Sequence, residues 1–358
     1  MKTFRQEMRE LVHASIPANE IVDRNIDITF KHFGWDGSGG CSMQSVGDEH
    51  LLTRERVRQI STKCARQMAT RQESVVTTLP VLLATINRMA PARAERVEEA
   101  LNGLGLNGDR LEGVLAAARQ FNKAEKHLRI SEEFSQRFVI FPDMEGSATQ
   151  ILAKARKITS KVGLANVKEL LDLVPGIPEP SAIEYIRDVL AIRRDTTWLD
   201  EEKTWFWLSA SPRNRLITCL HKMLSLFSSV TLEGVRQGAN RYFKKGEKIP
   251  AQLTAPAPII ASFIRSWGQA TCSEANIVRK APGFSPKSKV LDYDRLIVQY
   301  IVKRPSKMAR EKELENALVP TVDGVAHEKK HAFSIALNYS PMVCKGKNRG
   351  EYIANGAL

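Results

Sequence analysis

Apolar positions along the chain recur mostly at helical spacing, interrupted by glycine and proline punctuation and by short strand-like runs. Ile26, Ile28, Phe30 and Phe33 predict a short helix over residues 25–33, closed by Gly34 and the WDGSGG turn. Ser42 suits the N-cap of a second helix with Ser45 and Val46, and a turn follows at His50-Leu51-Leu52. Thr53 then caps a third helix. On it Val57, Ile60 and Cys64 or Met68 share one face, and Arg54, Glu55, Arg58 and Gln59 fall largely on the opposite side.

Beyond Gln72 the pattern has a coarse period. Helical stretches begin near Ser74, Ser147, Arg213 and Leu291, at intervals of 73, 66 and 78 residues. The first segment reads LPVLLATINRM, ARAERVEEALNGL and GDRLEGVLAAARQF as helices, then HLRISEEFSQRFVIF as a ribbon. The second reads GSATQILAKARKITSKV, NVKELLDLV and SAIEYIRDVLAI as helices, then TTWLDEEKTWFWL as a hairpin. In that hairpin Trp198, Trp205 and Trp207 favour strands and Asp200-Glu201-Glu202 a turn. The third is the least regular. VTLEGVRQGANRYFKK is expected to be its DNA-facing helix, and PAQLTAPAP a linker or an ordered loop. The last runs DYDRLIVQYIVKR, KMAREKELENAL and GVAHEKKHAFSIALNY, then MVCKGKNRGEYIAN as a wing with a KGKNRG tip.

Three helices and a two-stranded ribbon make a winged helix. The expected fold is therefore mainly α, with tandem helix-turn-helix and winged-helix modules carrying short β-hairpin wings. The expected module boundaries are 1–72, 73–145, 146–210, 211–285 and 286–358.

Charge adds a partner to this picture. The chain of 358 residues carries a formal net charge of +13, which points to a polyanion, nucleic acid before acidic membrane. Residues 213–250 concentrate eight cations, among them Arg236 and Arg241, against only Glu233 and Glu247. No apolar run approaches the roughly 20 residues that cross a bilayer. The opening MKTFRQEMRELVH lacks the apolar core of a signal peptide, so a cytoplasmic place on the nucleoid is expected. Cys41, Cys64, Cys219, Cys272 and Cys344 form no CxxC pair, which argues against structural zinc and a disulfide framework.

The helix opened by Thr53 has the chemistry of a base reader. Arg can donate twice to guanine, Gln can pair with adenine and Glu can accept from cytosine, while the helix N-terminus suits a phosphate. TRERVRQI, preceded by the FGWDGSGG turn and a short capped helix, resembles region four of bacterial primary sigma factors over about residues 20–72. In that family the domain contacts the upstream promoter hexamer and the polymerase flap. The resemblance implies base-reading roles for Arg54, Glu55, Arg58 and Gln59, with Thr53 and Arg56 nearer the backbone. Lys63, further along the same helix, joins the expected DNA contacts. The preceding helix reads SMQSVGDEH in place of the family's acidic pattern. No other stretch resembles the aromatic-rich domain with which sigma factors melt DNA, so the chain is not expected to be a complete initiation factor. Lys345, Lys347 and Arg349 in the last wing are expected on phosphates, and Arg236 and Arg241 of the third segment's DNA-facing helix are expected among the DNA contacts.

One motif points elsewhere. His327-Glu328-Lys329-Lys330-His331 spells HExxH, the zinc-protease signature, but Lys329 and Lys330 are foreign to a buried zincin helix and no third ligand is evident. There is no P-loop, GxSxG or GxGxxG. No catalytic residues, metal or cofactor are therefore expected. The sequence reads as a DNA-binding protein specific for a duplex site, a transcriptional regulator using the Thr53–Ile60 helix. RNA polymerase or another protein subunit would be a second partner, and no membrane is expected. The alternative is a DNA-sensing or scaffolding adaptor of a larger nucleoprotein system, in defence or mobile elements.

Overall fold

The computed structural model describes residues 2–16, 20–121, 123, 128–248, 251–319 and 326–358. The chain is mainly helical with small antiparallel sheets. Its contacts divide it into two compact units, Met1–Ile151 with Leu171–Ile192, and Leu152–Leu170 with Arg193–Leu358.

The first unit opens with α1 (Phe4–Ser15), capped by Thr3 and Gln6 in a reciprocal box, followed by α2 (Glu20–Phe33). Next come α3 (Met43–His50) and α4 (Arg54–Ala69), capped by Ser42 and Thr53 as the sequence predicts. Ile28, Val46, Val57, Ile60 and Cys64 form their shared core. Leu51 ends α3 in the left-handed region at φ 56°. Gly47 makes the tight corner possible, because a Cβ there would lie 2.7 Å from the Leu52 carbonyl oxygen. Val57 and Met68 are fully buried, each stabilising by about 1.5–3 kcal/mol. Exposed ion pairs add little by comparison, so the apolar stripe fixes which face of α4 points outward.

The chain continues through α5 (Gln72–Val75), α6 (Thr78–Met89), β1 (Ala92–Arg93), α7 (Ala94–Asn102), α8 (Glu112–Gln120), β2 (Arg129–Glu133) and β3 (Gln136–Ile140). The three strands pair in the order β1-β3-β2. This is a winged helix, and it shares one core with the N-terminal helices, from Phe4 and Trp35 to Leu115 and Val139. The start of α6 has no cap of its own. The buried Glu7 carboxylate of α1 supplies one, accepting from Thr78 N at 2.9 Å, Thr78 Oγ1 at 2.6 Å and Thr77 Oγ1 at 2.7 Å.

The same order of elements recurs three times. The second module runs α9 (Ser147–Val162), β4 (Ala165–Asn166), a 3-10 helix over Val167–Leu173, α10 (Glu179–Leu190), β5 (Thr196–Trp198) and β6 (Trp205–Leu208), with strand order β4-β6-β5. The division between units falls within α9. The third runs α11 (Arg215–Leu226), β7 (Ser229–Thr231), α12 (Leu232–Tyr242), α13 (Ala257–Trp267), β8 (Ala270–Cys272) and β9 (Ile277–Lys280). The fourth runs α14 (Asp292–Lys303), β10 (Met308–Arg310), α15 (Glu311–Leu318), α16 (Ala326–Tyr339), β11 (Val343–Lys345) and β12 (Glu351–Ala354), in the order β10-β12-β11.

A last strand, β13 (Gly356–Ala357), leaves the fourth module and pairs with β7 of the third, giving the order β13-β7-β9-β8. One core runs through both modules, from Leu220 and Phe243 to Leu337 and Tyr352.

The structure differs from the sequence reading at three points. Each module has a strand between its first and second helices, two or three residues long and too short to show alternation. NVKELLDLV is the last residue of β4, Asn166, followed by a 3-10 helix, not an α-helix. VTLEGVRQGANRYFKK holds β7 and α12, the second helix of its module. The third position belongs to α13, whose first turn carries Pro258, with Pro256 as its N-cap. Residues 251–256 form an ordered loop that buries Leu253 and Ala255 and donates from Leu253 N to Asn240 Oδ1 at 2.6 Å.

Candidate nucleic-acid interface

Thr53, Arg54, Glu55, Arg56, Arg58, Gln59 and Lys63 are all exposed on α4. Thr53 Oγ1 accepts from Arg56 N at 3.3 Å, which sets the first turn. Glu55 organises the face: Arg58 donates to it from Nε at 2.9 Å and from Nη2 at 2.6 Å, and Gln59 donates from Nε2 at 3.3 Å. The Arg58 guanidinium holds the Glu55 carboxyl below its usual range. Arg56 Nη1 reaches Gln59 Oε1 at 3.3 Å. Arg54 and Lys63 make no such bond among the described residues. Glu55, Arg56, Arg58 and Gln59 thus come together on a solvent-facing surface, donors and an acceptor side by side, with Arg54 and Lys63 exposed on the same helix.

In a winged helix the third helix is the usual reader of the major groove, and the four modules treat that position differently. Six consecutive residues of α8, Gly113–Ala118, are buried. Trp35 Nε1 donates to the Gly113 carbonyl at 3.1 Å, and a Cβ on Gly113 would lie 2.4 Å from the Gly34 carbonyl oxygen. The helix-turn-helix therefore covers α8. The outer side of α10 is acidic and already paired, with Arg96 bridging Glu184 and Asp188 at 3.0 Å each. On α13 the exposed side offers Arg265 beside serines.

The fourth module has exposed cations on both its third helix and its wing. Lys329, Lys330 and His331 are exposed on α16, and Lys345, Lys347 and Arg349 are exposed in the wing. The wing tip is held in shape by buried Glu351, which accepts from Asn348 Nδ2 at 2.9 Å and from Asn348 N at 3.2 Å. The Glu351 backbone carbonyl accepts from Gly346 N at 2.8 Å. The three cations project from a fixed loop.

Arg236 and Arg241 require a correction. Both are part-buried on α12. Arg236 Nη2 donates to the Ala255 carbonyl at 2.8 Å, holding the loop before α13. Arg241 donates to the Leu337 carbonyl and lies over the Tyr352 ring, 5.3 Å from its centroid. Burial lowers its pKa. These guanidiniums tie the third module together and to the fourth.

The HExxH stretch lies at the start of α16. The His327 side chain is outside the described residues, while Glu328 and His331 are exposed and Lys330 pairs with Glu315 at 2.7 Å. Among the described residues one group has the spacing to hold a metal, Asp27, Glu49 and His50. Lys31 already fills it, its ammonium 3.0 Å from Asp27 and hydrogen-bonded to Glu49. Among the described residues, no helix is long and apolar enough to cross a membrane.

Comparison with known proteins finds no family model that matches the chain and no match among curated proteins.

Proposed function

We propose that this chain is a sequence-specific double-stranded DNA-binding protein, a transcriptional regulator that acts on the nucleoid. It reads the major groove through α4. The observation that carries this reading is the division of α4 into two faces. Val57, Ile60, Cys64 and Met68 are buried, while Arg54, Glu55, Arg58 and Gln59 stand exposed from the first two turns of a capped helix. A major groove admits such a helix, and these side chains match base-edge donors and acceptors. The likeness of TRERVRQI to region four of sigma factors supports the same use, with polymerase as a candidate second partner. The wing cations Lys345, Lys347 and Arg349 add sequence-independent hold through phosphates.

A second reading, the scaffolding adaptor of a nucleoprotein system, is favoured by one observation. The third-position helices α8 and α10 spend their faces on packing inside the first unit. Those modules then act as structure, not as readers. Genome-wide mapping of bound sites separates the two. Discrete promoter-proximal sites are expected for the regulator; diffuse occupancy with stable protein partners would replace it with the adaptor.

A further inference from the structure

The second unit contains a cleft that DNA reading does not use. It has a volume of about 740 Å³ and opens where the chain passes from β6 into α11, beside the C-terminal end of α13 and residues 287–288. That volume falls in the range of small-molecule sites, roughly 300–1,000 Å³.

Three features of its lining define the ligand. Arg213 and Lys287 are exposed at the cleft and carry no ion pair among the described residues. Arg215 also lines the cleft but is engaged by Glu247 at 3.3 Å, so it serves the wall. No carboxylate is among the described lining residues, which leaves a net positive mouth at the N-terminal end of α11, where the helix dipole also favours an anion. The floor is aromatic. Half-exposed Trp267 meets the His221 ring edge-on at 5.1 Å, and Trp207 is pinned by its Nε1–H donating to Ser266 Oγ at 3.0 Å.

His221 is the third feature. It is only 5% exposed, and its Nδ1 has no hydrogen-bond partner among the described residues. The ring lines the cleft edge-on to Trp267, while Nδ1 itself is closed off from solvent.

We propose that this cleft binds a phosphorylated nucleoside. Its phosphate sits between Arg213 and Lys287, and its base lies against Trp267 and the His221 ring. An anion alone would leave the aromatic floor and the imidazole unused; an uncharged aromatic would leave the two cations unused. Burial and the Lys287 charge lower the His221 pKa, so the neutral ring packs against a base without adding to the positive charge of the mouth. This site is independent of the duplex reading. It gives the protein a means of sensing a free nucleotide or the phosphorylated end of a strand.

Tryptophan fluorescence of the full chain, titrated with AMP, adenosine, inorganic phosphate and the dinucleotide pApA, tests the proposal. AMP or pApA should bind saturably, with adenosine and phosphate each weaker by about tenfold or more. Tighter AMP indicates a free nucleotide as the source, and tighter pApA a strand end. The double variant Arg213→Ala/Lys287→Ala removes only exposed side chains and should weaken AMP by about tenfold while leaving adenosine unchanged. His221→Ala, which removes the ring from the cleft wall, should weaken AMP and adenosine alike and leave phosphate unchanged. Absence of saturable AMP and pApA binding into the millimolar range would overturn the proposal. So would phosphate binding as tightly as AMP, or AMP binding indifferent to both variants.

Discussion

The Trp35 indole donates to the Gly113 carbonyl across 78 residues of sequence, and this bond joins the helix-turn-helix to the first winged helix. Trp35 is 1% exposed, and its ring stacks with Phe121 at 5.9 Å. The helix that a free winged helix would offer to DNA is thereby enclosed. With α8 covered, α4 is the helix of this pair that keeps an exposed polar face.

Gly113 should tolerate no side chain. In Gly113→Ala the new Cβ meets backbone at Gly34, 2.4 Å from its carbonyl oxygen. Two backbones must separate, and the Trp35 bond weakens as they do. A loss of about 2–3 kcal/mol in chemical denaturation is expected. An unchanged midpoint would show that α8 and the Gly34 turn part freely.

Arg58 should carry base preference. Arg58→Ala is expected to weaken the preferred site by about tenfold or more and random duplex hardly at all. Anisotropy titrations on a mapped site and on a scrambled duplex measure both. Equal losses on the two would make Arg58 a phosphate contact. Because Glu55 holds Arg58 in the free protein, Glu55→Gln should alter which base is preferred more than it alters total affinity.

The wing should act through charge alone. Replacing Lys345, Lys347 and Arg349 together removes up to three phosphate contacts. The slope of log affinity against log salt should fall by up to about 2.7, equally on all sequences. An unchanged slope with loss of a bound protein partner would assign the wing to protein docking.

Arg241 should affect stability and not DNA affinity. Arg241→Leu leaves the Leu337 carbonyl without its donor and removes the cation over Tyr352. A loss of about 2 kcal/mol is expected, with duplex affinity per folded molecule unchanged. Weaker duplex binding by a fully folded variant would restore Arg241 to the interface.

His221 should make the second unit acid-sensitive. Its pKa lies below the ordinary value of 6.5, through burial first and the Lys287 charge second. The unfolded chain takes up the proton more readily, so stability is complete above about pH 6.5 and declines as pH falls toward the folded value. Thermal melts between pH 7.5 and pH 5 should show wild type losing more than His221→Phe. Parallel curves would mean that His221 titrates as it does unfolded.

The sequence by itself determined the local elements of this protein. Caps at Ser42 and Thr53, the two faces of α4, the tryptophan hairpin and the KGKNRG wing rest on neighbouring residues and on periodicities of 3.6 and 2. Such signals are complete within a dozen positions. The tertiary structure decided everything that depends on what covers a face. An apolar helix such as EGVLAAARQ reads the same whether its neighbour is its own module or the turn at Trp35. An arginine reads as a free cation until a carbonyl 96 residues away accepts from it, as Leu337 does from Arg241. Strands of two residues have no period to detect, so β1, β4 and β13 become visible only through their partners. The cleft beneath Arg213 and Lys287 draws its lining from segments some 80 residues apart, and only folding brings them together.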